Sequence, residues 1–254
     1  MTPVRTVTAD GGGVVRLILD RGKGNVLDGQ MVDALRAEIR KLANKPELRL
    51  LIFEGAGPHF SFGASVEEHL PDQVEGMLTS FHQLFRDIEE LQVPTAAVVT
   101  GQCLGGGFEL ATWCGQVFCD PSAVFAVPEI QLAVFPPIAA MSLRWRIGGS
   151  RATAMIISGE KVGAARAVDI GLADHCSDDP AAAVLEWYER TLATLSPVAL
   201  RFAWSASRIP VSSALSIELP RLERLYLTKL MAFDDPVEGL TAFLERRQPE
   251  WRAW

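Results

Sequence analysis

Residues 95–113 read TAAVVTGQCLGGGFELATW: a short apolar run, a glycine-rich turn and then a helical pattern. The run over 95–100 has the length and β-branched content of a buried strand. Gly105, Gly106 and Gly107 carry no Cβ, so a ligand oxygen can approach their amides closely. At the start of a helix those N–H groups have no partner within the helix, and the dipole favours negative charge. Gly106 and Glu109 are three apart and so are neighbours on one turn. An oxygen held by the Gly106 N–H would lie within reach of the Glu109 carboxylate.

A second carboxylate, Glu129, follows Pro128 at the end of Phe125-Ala126-Val127-Pro128-Glu129. Facing Glu109 from a rigid turn, it gives a pair able to hold and split a water molecule, which points to hydration chemistry. Two carboxyl groups sharing a water do not both ionise freely, which favours one proton across the pair. A single N–H is a weak oxyanion site. The backbone of Gly63-Ala64, in the loop Phe60-Ser61-Phe62-Gly63-Ala64, is the natural second donor, and two donors on one carbonyl oxygen would stabilise an enolate formed by addition at the β-carbon.

Outward from this centre, residues 4–8 and 14–19 read as a hairpin across Gly11-Gly12-Gly13. Asp28 is placed to cap a helix over 29–42, with Met31, Leu35, Ile39 and Leu42 on one face. A buried strand is expected over 48–53, a helix over 73–91 and further strands over 116–119 and 124–127. After Pro136-Pro137, helices are expected over 141–147, 151–158, 163–168, 181–195, 198–206, 212–231 and 236–246, the last capped by Asp234-Asp235. Strand signals vanish from about Asp179 onward. One main unit is expected, with a core over 1–195 and a helical region over 196–254.

The net charge of −7 argues against a nucleic-acid binder, whose affinity comes from Lys and Arg neutralising phosphates. No secretion-type leader and no membrane-span pattern is present in the sequence, so a cytoplasmic protein without membrane partners is expected. Cys103, Cys114, Cys119 and Cys176 form neither a CxxC pair nor a Cys/His cluster, which reads as buried reduced thiols and no metal site.

These motifs resemble those of the enoyl-CoA hydratase/isomerase (crotonase) family. The segment from Gly101 through Glu109 to Ala111 is similar to the family's first signature, Phe125 to Ile130 to its second, and Phe60 to Ala64 to its first oxyanion loop. The two glutamates stand 20 residues apart, as in family hydratases. The resemblance runs from the opening hairpin to Phe243-Leu244-Glu245-Arg246-Arg247. It implies an α/β fold, a spiral of ββα repeats with a C-terminal helical trimerisation region, and a homotrimer or dimer of trimers. It also implies an acyl-CoA thioester substrate, with coenzyme A as part of the substrate and no separate cofactor.

By the same resemblance, Ala64 and Gly106 donate to the oxyanion, Glu109 deprotonates water and Glu129 delivers a proton to the substrate carbon skeleton. The implied substrate contacts are Lys23, Val26, Phe62, Gly63, Ser65, Val66, Leu104, Gly105, Pro128, Phe135, Pro137, Ile138 and Arg246. Lys23, in Asp20-Arg21-Gly22-Lys23-Gly24-Asn25-Val26-Leu27, and Arg246 are the expected partners of the coenzyme A phosphates. Keeping both glutamates points to a hydratase. An isomerase, a ring C–C hydrolase or a non-catalytic acyl-CoA-binding protein are the alternatives.

Departures from the family pattern concern the acyl pocket. Pro136-Pro137-Ile138-Ala139-Ala140 stands where the family has Pro-Gly-x-Gly-Gly, Ser65 where it has Asp, and Phe62 where it has a small residue. Stiff apolar walls suit a planar or cyclic acyl group. Phe60 to Leu70 also looks like the corresponding stretch of cyclohexa-1,5-diene-1-carbonyl-CoA hydratases. A Thr-Gly-x-x-x-Gly-x-Gly match to short-chain dehydrogenases at Thr100 to Gly107 lacks the Tyr-x-x-x-Lys pair, because Lys229 follows Tyr226 by three positions.

Overall fold

The computed structural model describes residues 2–252. The hairpin forms as expected: β1 (Val4–Ala9) pairs antiparallel with β2 (Val14–Leu19). α1 (Gly29–Leu42) begins where the Asp28 carboxylate accepts from the Met31 N–H at 2.9 Å and relieves an unpaired donor of the first turn. β3 (Leu50–Gly55), α2 (Val74–Leu91) and β4 (Thr95–Val99) follow, then β5 (Gln102–Leu104) and α3 (Gly105–Trp113). With β6 (Gln116–Cys119) and β9 (His175–Cys176) the main sheet has the order β1-β2-β3-β4-β6-β9, parallel from β2 onward. A second sheet of order β5-β7-β8 adds β7 (Val124–Ala126) and β8 (Val162–Gly163).

Every residue of α3 is buried, so the helix has no solvent-facing side and runs within the core. Glu109 is its one ionisable side chain, 3% exposed. A charge so placed is costly unless it is hydrogen-bonded or neutralised.

Two features of the second half differ from the sequence reading. α4 spans Pro137–Ile147, a full turn earlier than expected. Pro136-Pro137 reads as a break, yet a proline fits the first helical position, where its missing N–H costs nothing. The C-terminal helices are also cut differently. α8 (Pro197–Ile217) runs straight through Pro210, and α9 (Leu219–Thr228) starts anew beyond Glu218 with Pro220 in its first turn. Between α4 and α8 lie α5 (Gly149–Ser158), α6 (Ala164–Asp169) and α7 (Pro180–Thr191). α7 closes four residues short of the expected 195.

α10 (Asp234–Glu245) is preceded by Phe233, and the expected cap is not formed: Asp234 and Asp235 lie inside the first turn, where they complement the dipole. β8 and β9 are two-residue strands with too little pattern to be read from sequence. Strand structure ends at Cys176 among the described residues. Of the four thiols, Cys176 is exposed rather than buried. No helix among the described residues is long and apolar enough to cross a membrane.

Candidate active site

The loop after β3 is built by buried polar groups. Asn25, fully buried at φ 43°, directs its side-chain amide to the carbonyls of Ala56, His59 and Phe60 at 3.0, 3.0 and 3.2 Å. The Ser61 hydroxyl donates to the Asn25 carbonyl at 2.8 Å and accepts from the Gly63 N–H at 3.1 Å. The Leu27 N–H donates to the Gly63 carbonyl and the Leu104 N–H to the Ser61 carbonyl, at 2.8 and 3.0 Å. Gly63 sits at φ 101°, a left-handed conformation that favours glycine. The loop is thus sewn to the start of α3.

This stitching brings the two expected oxyanion donors together. A Cβ built on Gly106 would stand 3.2 Å from the Ala64 nitrogen, so the two amides lie side by side at the mouth of α3. Neither N–H is taken by another hydrogen bond among the described residues. Two free donors in a buried setting form the environment a developing oxyanion requires.

Both glutamates line the same cavity of about 260 Å³ as those amides. Glu109 Oε1 accepts from the Ala139 N–H at 2.8 Å, and the Ile138 N–H also faces this carboxylate. These are free donors of the first turn of α4, supplied because the helix begins at Pro137. Glu129 lies in a short 3-10 helix, Pro128–Leu132. The residue as a whole is partly exposed, while its Oε2 is fully buried and has no hydrogen-bond partner among the described residues. Its Oε1 is 3.0 Å from where a Cβ on Gly105 would be, and Gly105 has φ 50°, so this position has no room for a side chain.

Burial raises both carboxyl groups above the usual carboxylate range. For Glu109, burial comes first and the Glu129 charge adds to it, while the two amides of α4 oppose. For Glu129, burial pushes the group up to about 7, against its own backbone N–H. The amide donors favour the charged form at Glu109, whereas Glu129 Oε2 has none. Burial and the Glu129 charge outweigh those donors at Glu109, so the two carboxyl groups hold a proton between them.

A raised carboxyl favours the folded state below its unfolded value, and this contribution is lost as pH rises toward the folded value. The wild-type protein should therefore lose stability through Glu129 as pH rises from about 4.5 toward 7. Glu129→Gln removes that titration, so the Tm of the variant minus that of wild type should widen from pH 5 to pH 8 in a thermal melt series. A constant gap would contradict the assignment.

Of the expected contacts, Phe62, Gly63, Val66, Leu104, Gly105, Pro128, Phe135 and Pro137 line the cavity with Ala64, Gly106 and both glutamates. Five do not. The Ile138 side chain is fully buried in the core and serves through its N–H instead. The Ser65 hydroxyl turns to Glu67 at 3.0 Å. Val26 is partly buried next to Leu27, outside the lining. Lys23 and Arg246 are exposed, away from the cavity wall and without an ion-pair partner among the described residues.

The sequence reading missed His69, Gln131 and Tyr226, all lining the cavity. The partly buried His69 ring lies 2.6 Å from the Ser65 carbonyl, and desolvation holds it below the usual histidine range. Tyr226 arrives from α9, far along the chain. No local spacing links it to the glutamates.

The family model for enoyl-CoA hydratase/isomerase matches residues 10–253. A cyclohexa-1,5-dienecarbonyl-CoA hydratase of Thauera aromatica is 42% identical over 250 residues, covering 98% of this chain and 97% of that protein. The chain belongs to the enoyl-CoA hydratase/isomerase family. It is a hydro-lyase-type enzyme with the crotonase fold. The 2,3-dehydroadipyl-CoA hydratase of Escherichia coli strain K12 is 31% identical over 245 residues, with 94% and 95% of the two chains covered. Among solved structures, an enoyl-CoA hydratase from Mycobacterium avium superposes with a TM-score of 0.87 at 27% identity, over 99% of this chain and 100% of that one.

Proposed function

We propose that this enzyme adds water to a cyclic conjugated dienoyl-CoA thioester. The observation that carries the reading is the convergence of Glu109, Glu129 and the free amides of Ala64 and Gly106 on one apolar cavity. The thioester oxygen accepts from the two amides. Glu109 takes a proton from water as the water oxygen bonds to the β-carbon, and the displaced π electrons move onto the thioester as an extended enolate. Glu129 then gives its proton to the far carbon of the diene, the electrons return from oxygen, and a hydroxylated enoyl thioester leaves. Proton exchange between the two carboxyl groups resets the pair.

The ring is supported by the walls and by kinship. Phe62, Phe81, Phe135, Pro136 and Pro137 present flat or rigid apolar faces around the glutamates. Such faces pack well on a planar six-membered ring. The Thauera relative bears the name of a dienoyl-CoA hydratase. Coenzyme A enters as part of the substrate, with the exposed Lys23 and Arg246 as candidate phosphate contacts. A homotrimer through α8 is part of the same reading, supported by Val198, Phe202 and Ile209, which are 63%, 75% and 62% exposed along that helix.

Steady-state hydration of cyclohexa-1,5-diene-1-carbonyl-CoA and of crotonyl-CoA tests the acyl group. The ring thioester should have the higher kcat/KM by at least about tenfold, the discrimination a shaped apolar pocket provides. A preference for crotonyl-CoA would overturn the ring.

A further inference from the structure

The buried hydroxyl of Tyr226 has no role in the chemistry above. Its residue is 1% exposed, its oxygen has no hydrogen-bond partner among the described residues, and it lines the cavity that holds both glutamates. A buried hydroxyl left without a partner is costly, and such groups mark places where a water or ligand belongs. Glu129 Oε2 is a second unpartnered buried oxygen on the same cavity. One is a donor and the other an acceptor, and they do not bond each other directly. An atom that accepts from the first and donates to the second satisfies both.

Tyr226 is also firmly placed. Its ring packs on Phe135 with centroids 5.2 Å apart. α9 is fixed to α2 by Glu223 against the buried His82 ring at 2.7 Å, and its start is fixed to α4 by Arg144 on both oxygens of Glu218 at 2.6 and 2.7 Å. Burial, and then the charges of Glu129 and Glu109, hold the phenol well above its usual range. The O–H therefore stays a neutral donor wherever the carboxyl pair is active.

We propose that the Tyr226 hydroxyl binds the reacting water, donating to its oxygen while the water donates to Glu109 and to Oε2 of Glu129. A water held this way has one lone pair left, and that pair is the one directed at the β-carbon. The Glu129 proton then sits on Oε1, the oxygen beside Gly105 and the thioester site. Bond making is unchanged: the oxygen bonds to carbon, its proton passes to Glu109, and Tyr226 keeps its own proton. This assignment rests on the hydratase reading and not on the identity of the acyl group.

Tyr226→Phe is the test, assayed with both crotonyl-CoA and the cyclic dienoyl-CoA, alongside thermal melting. Loss of orientation should lower kcat about 10- to 100-fold on every thioester the wild type hydrates, with KM within about threefold. The Tm should stay close to that of wild type, because the ring and its packing on Phe135 are kept. A kcat within twofold of wild type would overturn the assignment, as would a loss confined to KM or one accompanied by a lower Tm. Failure of the wild type on the ring alone removes the acyl assignment and leaves Tyr226 to be judged on crotonyl-CoA.

Discussion

Glu109→Gln should lower kcat about 10²- to 10⁴-fold while leaving thioester binding nearly intact, the usual range for removing a positioned general base. The substitution preserves shape, and the amide oxygen can still accept from the Ala139 N–H now 2.8 Å from Glu109 Oε1. What it lacks is the ability to take a proton from water. Because Glu109 is 3% exposed and its charge is opposed by burial, the neutral variant should also be at least as stable as wild type above pH 7. Activity within tenfold of wild type, measured as loss of the conjugated thioester absorbance, would remove Glu109 from the mechanism.

Gly106→Ala should cost about 10²- to 10³-fold in kcat/KM, the loss expected when one oxyanion donor is disabled. The added methyl would lie 3.2 Å from the Ala64 nitrogen, in the space a thioester oxygen needs, and 3.0 Å from Phe81 Cζ. Phe81 is 4% exposed and packed edge-on against Phe85 at 5.1 Å, so it has little freedom to retreat. The damage therefore falls on the donor pair. The infrared band of a bound thioester carbonyl should move to lower frequency in the wild type and return toward its free position in the variant. Unchanged kcat/KM and an unchanged band shift would contradict the oxyanion assignment.

Much of the frame was readable because its signals are local. Asp28 before an apolar stripe, Gly105-Gly106-Gly107 before Glu109, and a β-branched run ending at Val99 each depend on neighbours a few residues away. The donors on Glu109 were not readable, for Pro136-Pro137 has two meanings: a stop for one helix or the first position of the next. The chain uses the second, and the amides of Ile138 and Ala139 gain a function that their side chains give no hint of. For the same reason Ile138 was placed on the pocket wall by its apolar character, when its side chain belongs to the core.

Tyr226 was hidden by a different cause. It reaches the cavity only because α9 is packed against α2 and α4 through Glu223 and Glu218, contacts that join distant parts of the chain. The split of the expected 212–231 helix at Glu218 is what creates α9 as a separate element. A periodicity reading carries an apolar stripe across such a break, since the stripe itself continues.

The most direct test of the central claim is a crystal structure of Glu109→Gln with the dienoyl thioester bound. The account predicts a thioester oxygen about 3 Å from both the Ala64 and Gly106 nitrogens, with the β-carbon facing residue 109 and the far diene carbon facing Glu129. A thioester oxygen directed away from those two amides, or a ring lying outside the space between residues 109 and 129, would contradict it.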